Sequence, residues 1–82
     1  MKLGFIGLGN MASAMIGGML KKGLVNSQDI IGSDVSEAGR AKAAEQFGIE
    51  ACADNKRVAA GADVLFFAVK PIFLPEVLAE IA

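Results

Sequence analysis

Gly7-Leu8-Gly9-Asn10-Met11-Ala12 lies between the apolar run Leu3 to Ile6 and a stretch of helical periodicity from Asn10 to Lys22. A glycine-x-glycine-x-x-small sequence means little alone. Between a buried strand and a helix, each of its places has a reason. The first glycine makes the tight turn, the second lets the backbone come close to a pyrophosphate, and the third small residue, here Ala12, lets helix and strand pack closely. The free N–H groups and the positive dipole end of the helix start then hold phosphates. No Gly-Lys-Ser/Thr follows, which excludes a Walker-type loop.

The rest of the chain continues the alternation. Met11, Ala14, Met15 and Met19 set a helix face, Lys21 and Lys22 fall in its last turn, and Gly23 follows as the C′ residue. Gly17-Gly18 costs roughly 1 kcal/mol per glycine against alanine, a cost expected to be offset by close approach of the helix to the sheet. Asp29 to Ser33 is the second strand. Ser36 caps a helix through Glu37, Ala41, Ala44 and Phe47 that Gly48 ends. Ile49 to Ala53 is a brief third strand, and Asn55 to Ala60 a short helix ended by Gly61. Asp63 to Val69 is the strongest strand, apolar on both faces, which Pro71 breaks before an amphipathic helix from Phe73 to Ala82.

Strands alternating with helices imply a parallel sheet with right-handed crossovers. The expected fold is α/β, a Rossmann-type parallel sheet of order 3-2-1-4 with helices on both faces. Residues 1 to 71 make a dinucleotide-binding half of it. The fourth strand is left as an uncovered edge, and 82 residues is small for such a domain. The expectation is a fragment, residues 1–82, truncated before the remaining strands and lacking a C-terminal domain.

Composition narrows the function classes. With 54% hydrophobic residues and ten glycines the chain is too apolar for disorder. A net charge of −1 without a basic patch argues against nucleic acid. The apolar run at the start is too short for a signal peptide or a membrane span, and the lone Cys52 cannot pair internally. A cytoplasmic protein with no membrane association is expected. There is no histidine or tyrosine, and no triad, metal-ligand set or carboxylate pair has a convincing spacing. No catalytic or metal-binding residue is therefore assigned.

Asp34 lies 25 residues beyond Gly9, near the place of a carboxylate on the ribose 2′-hydroxyl, which favours NAD. Ser33, Ser36 and Arg40 are placed to meet a 2′-phosphate, which favours NADP. Both choices stay open.

Gly4-Phe5-Ile6-Gly7-Leu8-Gly9-Asn10-Met11, Ala14-Met15-Ile16-Gly17-Gly18, Asp54-Asn55 and Ala68-Val69-Lys70-Pro71 together resemble the N-terminal domain of pyrroline-5-carboxylate reductase. The glycine loop alone is shared with 6-phosphogluconate and 3-hydroxyisobutyrate dehydrogenases and with F420-dependent NADP reductases. The two later segments are more specific. The resemblance implies an oxidoreductase that reduces 1-pyrroline-5-carboxylate to L-proline, the last step of proline biosynthesis, with NADPH or NADH. It implies a nucleotide loop at Ile6 through Met11, adenosine-ribose contacts at Asp34 and Asn55, and a nicotinamide-side segment at Ala68 to Pro71. It also implies a C-terminal helical domain through which family members form homo-oligomers. Asp34-Val35 departs from the arginine or small polar residue that many NADP-preferring members carry, so NADP is favoured only by the resemblance.

Asn55 reads equally as a helix N-cap, and Lys70 as a charge ending an apolar run. Ala68, Val69 and Pro71 are expected to wall the site with backbone, without direct catalysis by Lys70. The expected cofactor site is therefore Ile6, Gly7, Leu8, Gly9, Asn10, Met11, Ala12, Asp34, Asn55, Ala68, Val69, Lys70 and Pro71. The 82 residues alone are expected to be inactive, the substrate residues lying elsewhere. The alternatives are a stand-alone nucleotide-binding or sensor module, or the cofactor domain of a 3-hydroxyacid or other imine dehydrogenase.

Overall fold

In the computed structural model, which describes residues 1–82, the apolar run Leu3–Ile6 forms β1 and all four of its residues are buried. Ile30–Ser33 forms β2, Glu50–Cys52 β3 and Val64–Phe67 β4. The four strands make one parallel sheet in the expected order β3-β2-β1-β4. Between them run α1 (Asn10–Lys21), α2 (Glu37–Phe47) and α3 (Asn55–Gly61), and α4 (Leu74–Ile81) follows β4.

Strand periodicity divides the core between the two faces. Leu3 and Phe5 of β1 and Ile30 of β2 point to one side, where they pack with Leu8, Ala12 and Ile16 of the loop and α1 and with Ala43 and Ile49. Ile6 and Ile31 point to the other, against Val58 of α3 and Val77 of α4. Helices thus cover both faces. Phe5 and Phe66, paired in register on β1 and β4, stack with ring centroids 4.8 Å apart. Reciprocal bonds start β4: Lys2 N–H donates to Asp63 Oδ2 and Asp63 N–H to Lys2 O, both at 2.7 Å.

Local chemistry sets the helix ends. Ser36 Oγ accepts from Gly39 N–H at 3.1 Å, and Gly48 closes α2 at φ +68° with its N–H on Ala44 O. Gly23 takes φ +69° beyond α1.

Several expectations are corrected. The buried stripe of α1 is Ala12 and Ile16 with Met19 and Leu20 against them, whereas Met11, Ala14 and Met15 are exposed. Apolar residues ring this helix, so periodicity left its phase open by one position. A Cβ at Gly17 would touch the Phe47 ring at 3.4 Å, so the close approach is to α2 and not to the sheet, and Gly18 meets nothing. Asp54, not Asn55, caps α3, its Oδ1 accepting from Lys56 N–H at 3.0 Å. β4 ends at Phe67, with Val64 and Phe67 exposed because it is an edge strand here. No helix is long and apolar enough to cross a membrane.

Candidate functional site

The loops that leave the carboxyl ends of the strands are joined to one another by backbone bonds. Gly7 N–H donates to Ser33 O and Ala68 N–H to Ile6 O, both at 2.8 Å, and Asp34 N–H donates to Cys52 O at 3.1 Å. Between the loops opens a cavity of about 540 Å³. Open parallel sheets bind ligands in this crevice. Its walls are Ile6, Gly7 and Gly9 after β1, Ser33, Asp34 and Val35 after β2, and Asn55 at the start of α3. Ala68, Val69 and Lys70 after β4 continue the wall, and Phe73, Glu76, Val77 and Glu80 close it.

The two glycines of the loop are there for different reasons. Gly7 sits at φ +101°, and a Cβ on it would lie 2.6 Å from Ala68 O, so the turn itself demands glycine. Gly9 has an ordinary φ of −77°, and a Cβ there would meet no atom of the chain within 4 Å. Nothing in the chain's own packing requires glycine at position 9. The free flank fits a group that comes from outside.

The donors around it fit an anion. Gly9 N–H has no acceptor in the chain, and the first-turn N–H groups of α1 have none within the helix. The first turn carries no acidic residue and no side-chain cap. A diphosphate supplies the acceptors that these groups lack.

Asp34, expected at the ribose, is held from both sides by backbone. Its Oδ2 accepts from Leu8 N–H at 2.9 Å and its Oδ1 from Ser36 N–H at 2.8 Å. Two of the groups offered to a 2′-phosphate also bond within the chain: Arg40 Nη1 donates to Asp34 O at 2.8 Å, and Ser36 Oγ accepts from Gly39 N–H. That leaves the Ser36 hydroxyl hydrogen and the other Arg40 N–H groups as donors. The fully buried Ser33 donates its hydroxyl to Asn55 Oδ1 at 2.5 Å. That bond leaves the Asn55 amide N–H₂ without a partner in the chain, at the cavity wall.

Of the expected residues, the cavity gathers Ile6, Gly7, Gly9, Asp34, Asn55, Ala68, Val69 and Lys70. Leu8 and Ala12 are buried beneath the loop, Asn10 and Met11 stand exposed on the first turn of α1, and Pro71 opens a 3-10 turn outside the lining. Sequence reasoning missed Val35, Phe73, Glu76, Val77 and Glu80 as lining residues. The i, i+4 pair Glu76 and Glu80 marks a helix face, but nothing local tells that this face turns over the sheet edge. No group of three or more His, Cys, Asp or Glu side chains could hold a metal ion.

A family model described as NADP oxidoreductase, coenzyme F420-dependent, matches residues 2–82. Over 80 residues the chain is 42% identical to the pyrroline-5-carboxylate reductase of Escherichia coli and 39% identical to that of Methanosarcina acetivorans, covering 98% of this chain and 30% of each relative. The structure of a pyrroline-5-carboxylate reductase from Coxiella burnetii superposes with a TM-score of 0.87 at 32% identity, over 93% of this chain and 28% of that one. That of Plasmodium falciparum pyrroline carboxylate reductase with NADP bound gives 0.81 at 28% identity, over 98% and 28%. The resemblance carried by the glycine loop, Asp54-Asn55 and Ala68 to Pro71 is borne out by these relatives. The chain spans about 30% of the length of the curated relatives it matches.

Proposed function

This chain belongs to the NADP oxidoreductase, coenzyme F420-dependent, family, and from that premise we propose that it is the nucleotide-binding domain of a pyrroline-5-carboxylate reductase. The reaction is reduction of the C=N bond of 1-pyrroline-5-carboxylate to L-proline, with NADPH or NADH as the reductant. The observation that carries nucleotide binding is the glycine loop, where a flank left empty at Gly9 and unpartnered helix-start amides face the crevice of a parallel sheet. The substrate rests on the similarity to pyrroline-5-carboxylate reductases.

The residues divide the nucleotide between them. Gly7, Gly9, Asn10, Met11 and Ala12 hold the pyrophosphate through backbone and close packing, with Ile6 and Leu8 fixing the loop. Asp34 and Asn55 meet the adenosine ribose. Ala68, Val69, Lys70 and Pro71 border the nicotinamide ribose. When bound, the nicotinamide supplies the hydride. What these residues do is bind and orient it at the sheet edge; no side chain of the chain is assigned the proton that the product nitrogen needs.

That proton donor and the substrate-binding groups we assign to a helical domain in the remainder of a longer polypeptide, through which the reductase forms homo-oligomers. The reaction is placed in the cytoplasm, in keeping with a single cysteine left free.

The test is turnover by the full-length protein. Pyrroline-5-carboxylate should drive loss of reduced-nicotinamide absorbance, with proline as product, and residues 1–82 alone should bind nucleotide without turnover. Nucleotide binding without either the forward reaction or proline-dependent reduction of NAD(P) would overturn the substrate and leave a nucleotide-binding module.

A further inference from the structure

Gly32 stands in the middle of β2, buried, in register with Phe5 on one side and Ala51 on the other. Glycine inside a strand weakens it, and usually marks a close approach. Its backbone does not require glycine, for the positive-φ glycines are Gly7, Gly23 and Gly48. The reason lies above it. A Cβ at position 32 would stand 2.4 Å from Leu8 Cδ2, 3.1 Å from Cγ and 3.2 Å from Cδ1.

Leu8 is the residue between the two loop glycines, and it is only 5% exposed. Its side chain belongs to the buried cluster that holds Phe5, Ala12 and Ile16, where close packing resists its displacement. Its own N–H is spent on Asp34 Oδ2, two residues beyond Gly32 and just past the end of β2. One loop residue is therefore fixed twice on this side, by its side chain against Gly32 of β2 and by its amide on Asp34 just beyond the strand. Gly9, with the empty flank, comes directly after it.

We propose that Gly32 is a positioning residue for the phosphate loop: its missing side chain is the socket for Leu8, and the depth to which Leu8 seats sets where the Gly9 amide and the start of α1 stand. This rests on the nucleotide-binding role proposed above. A methyl group at position 32 lifts Leu8, and the amides move with it. The pyrophosphate is common to NADH and NADPH, so both lose affinity together, and the ratio between them does not change.

The test is nucleotide titration of the full-length protein with Gly32→Ala, Leu8→Ala and the double variant, at a temperature where circular dichroism shows each to be folded. Gly32→Ala should weaken NADH and NADPH alike, roughly 10- to 100-fold, as expected for a misplacement of about 1 Å. The double variant, with the obstructing side chain removed, should return to within about threefold of Leu8→Ala alone, a coupling that independent sites do not show. A purely structural role would lower the unfolding midpoint and leave the affinity of the folded protein unchanged, and that result overturns the proposal. So does a double variant that binds more weakly than Leu8→Ala by the full factor of Gly32→Ala, as independent sites would. If Gly32→Ala does not fold, joint recovery of folding and binding in the double variant supports the pairing, and a double variant still unfolded refutes it. A wild-type protein that binds neither nucleotide removes the nucleotide reading itself, and is told apart by needing no variant.

Discussion

Ser33 and Asn55 are joined across the carboxyl edge of the sheet: the buried Ser33 hydroxyl donates to Asn55 Oδ1 at 2.5 Å, which orients the amide so that its two donors are left for the cavity. Ser33→Ala keeps the packing but releases that orientation. It should cost about 1 kcal/mol of stability and weaken nucleotide binding severalfold. Asn55→Ala should weaken binding at least as much. Urea unfolding and nucleotide titration of the same samples check both, and an Asn55→Ala protein with wild-type affinity would remove Asn55 from the site.

Asp34 places a carboxylate at the end of β2, held by the Leu8 and Ser36 amides, with the exposed Val35 beside it. A fixed negative charge disfavours a nearby phosphate more than a hydroxyl. Asp34→Ser should shift the NADPH-to-NADH affinity ratio toward NADPH by roughly tenfold, which is about 1.4 kcal/mol. Because two backbone amides lose a charged acceptor, stability should fall by about 1–3 kcal/mol. The ratio of the two dissociation constants, measured in one buffer, is the readout; an unchanged ratio would place the adenosine end elsewhere.

Gly7→Ala combines a left-handed φ of +101° with a Cβ 2.6 Å from Ala68 O. Strain of about 1–3 kcal/mol must be relieved by parting the glycine loop from the segment after β4. Denaturant midpoint and nucleotide affinity should therefore fall together, whereas Gly23→Ala, with φ +69° and no atom near, should lower the midpoint alone.

Lys70 lines the cavity on the side of β4 and is exposed. The role proposed for it is attraction of the nucleotide rather than proton transfer. If the full-length protein is the proposed reductase, Lys70→Met should raise the nucleotide KM while kcat stays within about threefold, the pattern of lost uniform binding. A collapse of kcat with unchanged KM would assign Lys70 to the chemistry.

The outer edge of β4 carries no partner strand, and its Val64 and Phe67 are 39% and 38% exposed. The β3 edge is shorter and is flanked by the Arg57–Glu50 ion pair. An uncharged edge invites pairing with another chain. Residues 1–82 should elute from size exclusion with an apparent mass that rises with concentration, and Val64→Lys should reduce that rise.

What could be read in the sequence follows from which signals are local. Strand and helix order and the Gly48 terminus rest on periodicity and punctuation that lie within a few residues. The parallel order β3-β2-β1-β4 follows from that alternation once the glycine loop marks a Rossmann-type fold. The phase of α1 did not, because Met11 and Met15 are as apolar as the Ile16 that the core selects. The Ser33–Asn55 and Leu8–Gly32 pairs join positions more than twenty residues apart through the register of two strands. The far wall of the cavity depends on how α4 lies against α3, which is a tertiary fact.

The backbone bonds from Gly7 to Ser33 and from Ala68 to Ile6 continue the sheet ladder into its own loops. The ligand edge is therefore ordered when the sheet forms, and a nucleotide finds a surface whose configurational entropy has already been given up. Capture should need no opening step: in stopped-flow mixing the observed rate should rise in proportion to nucleotide concentration, without the plateau that a slow rearrangement imposes.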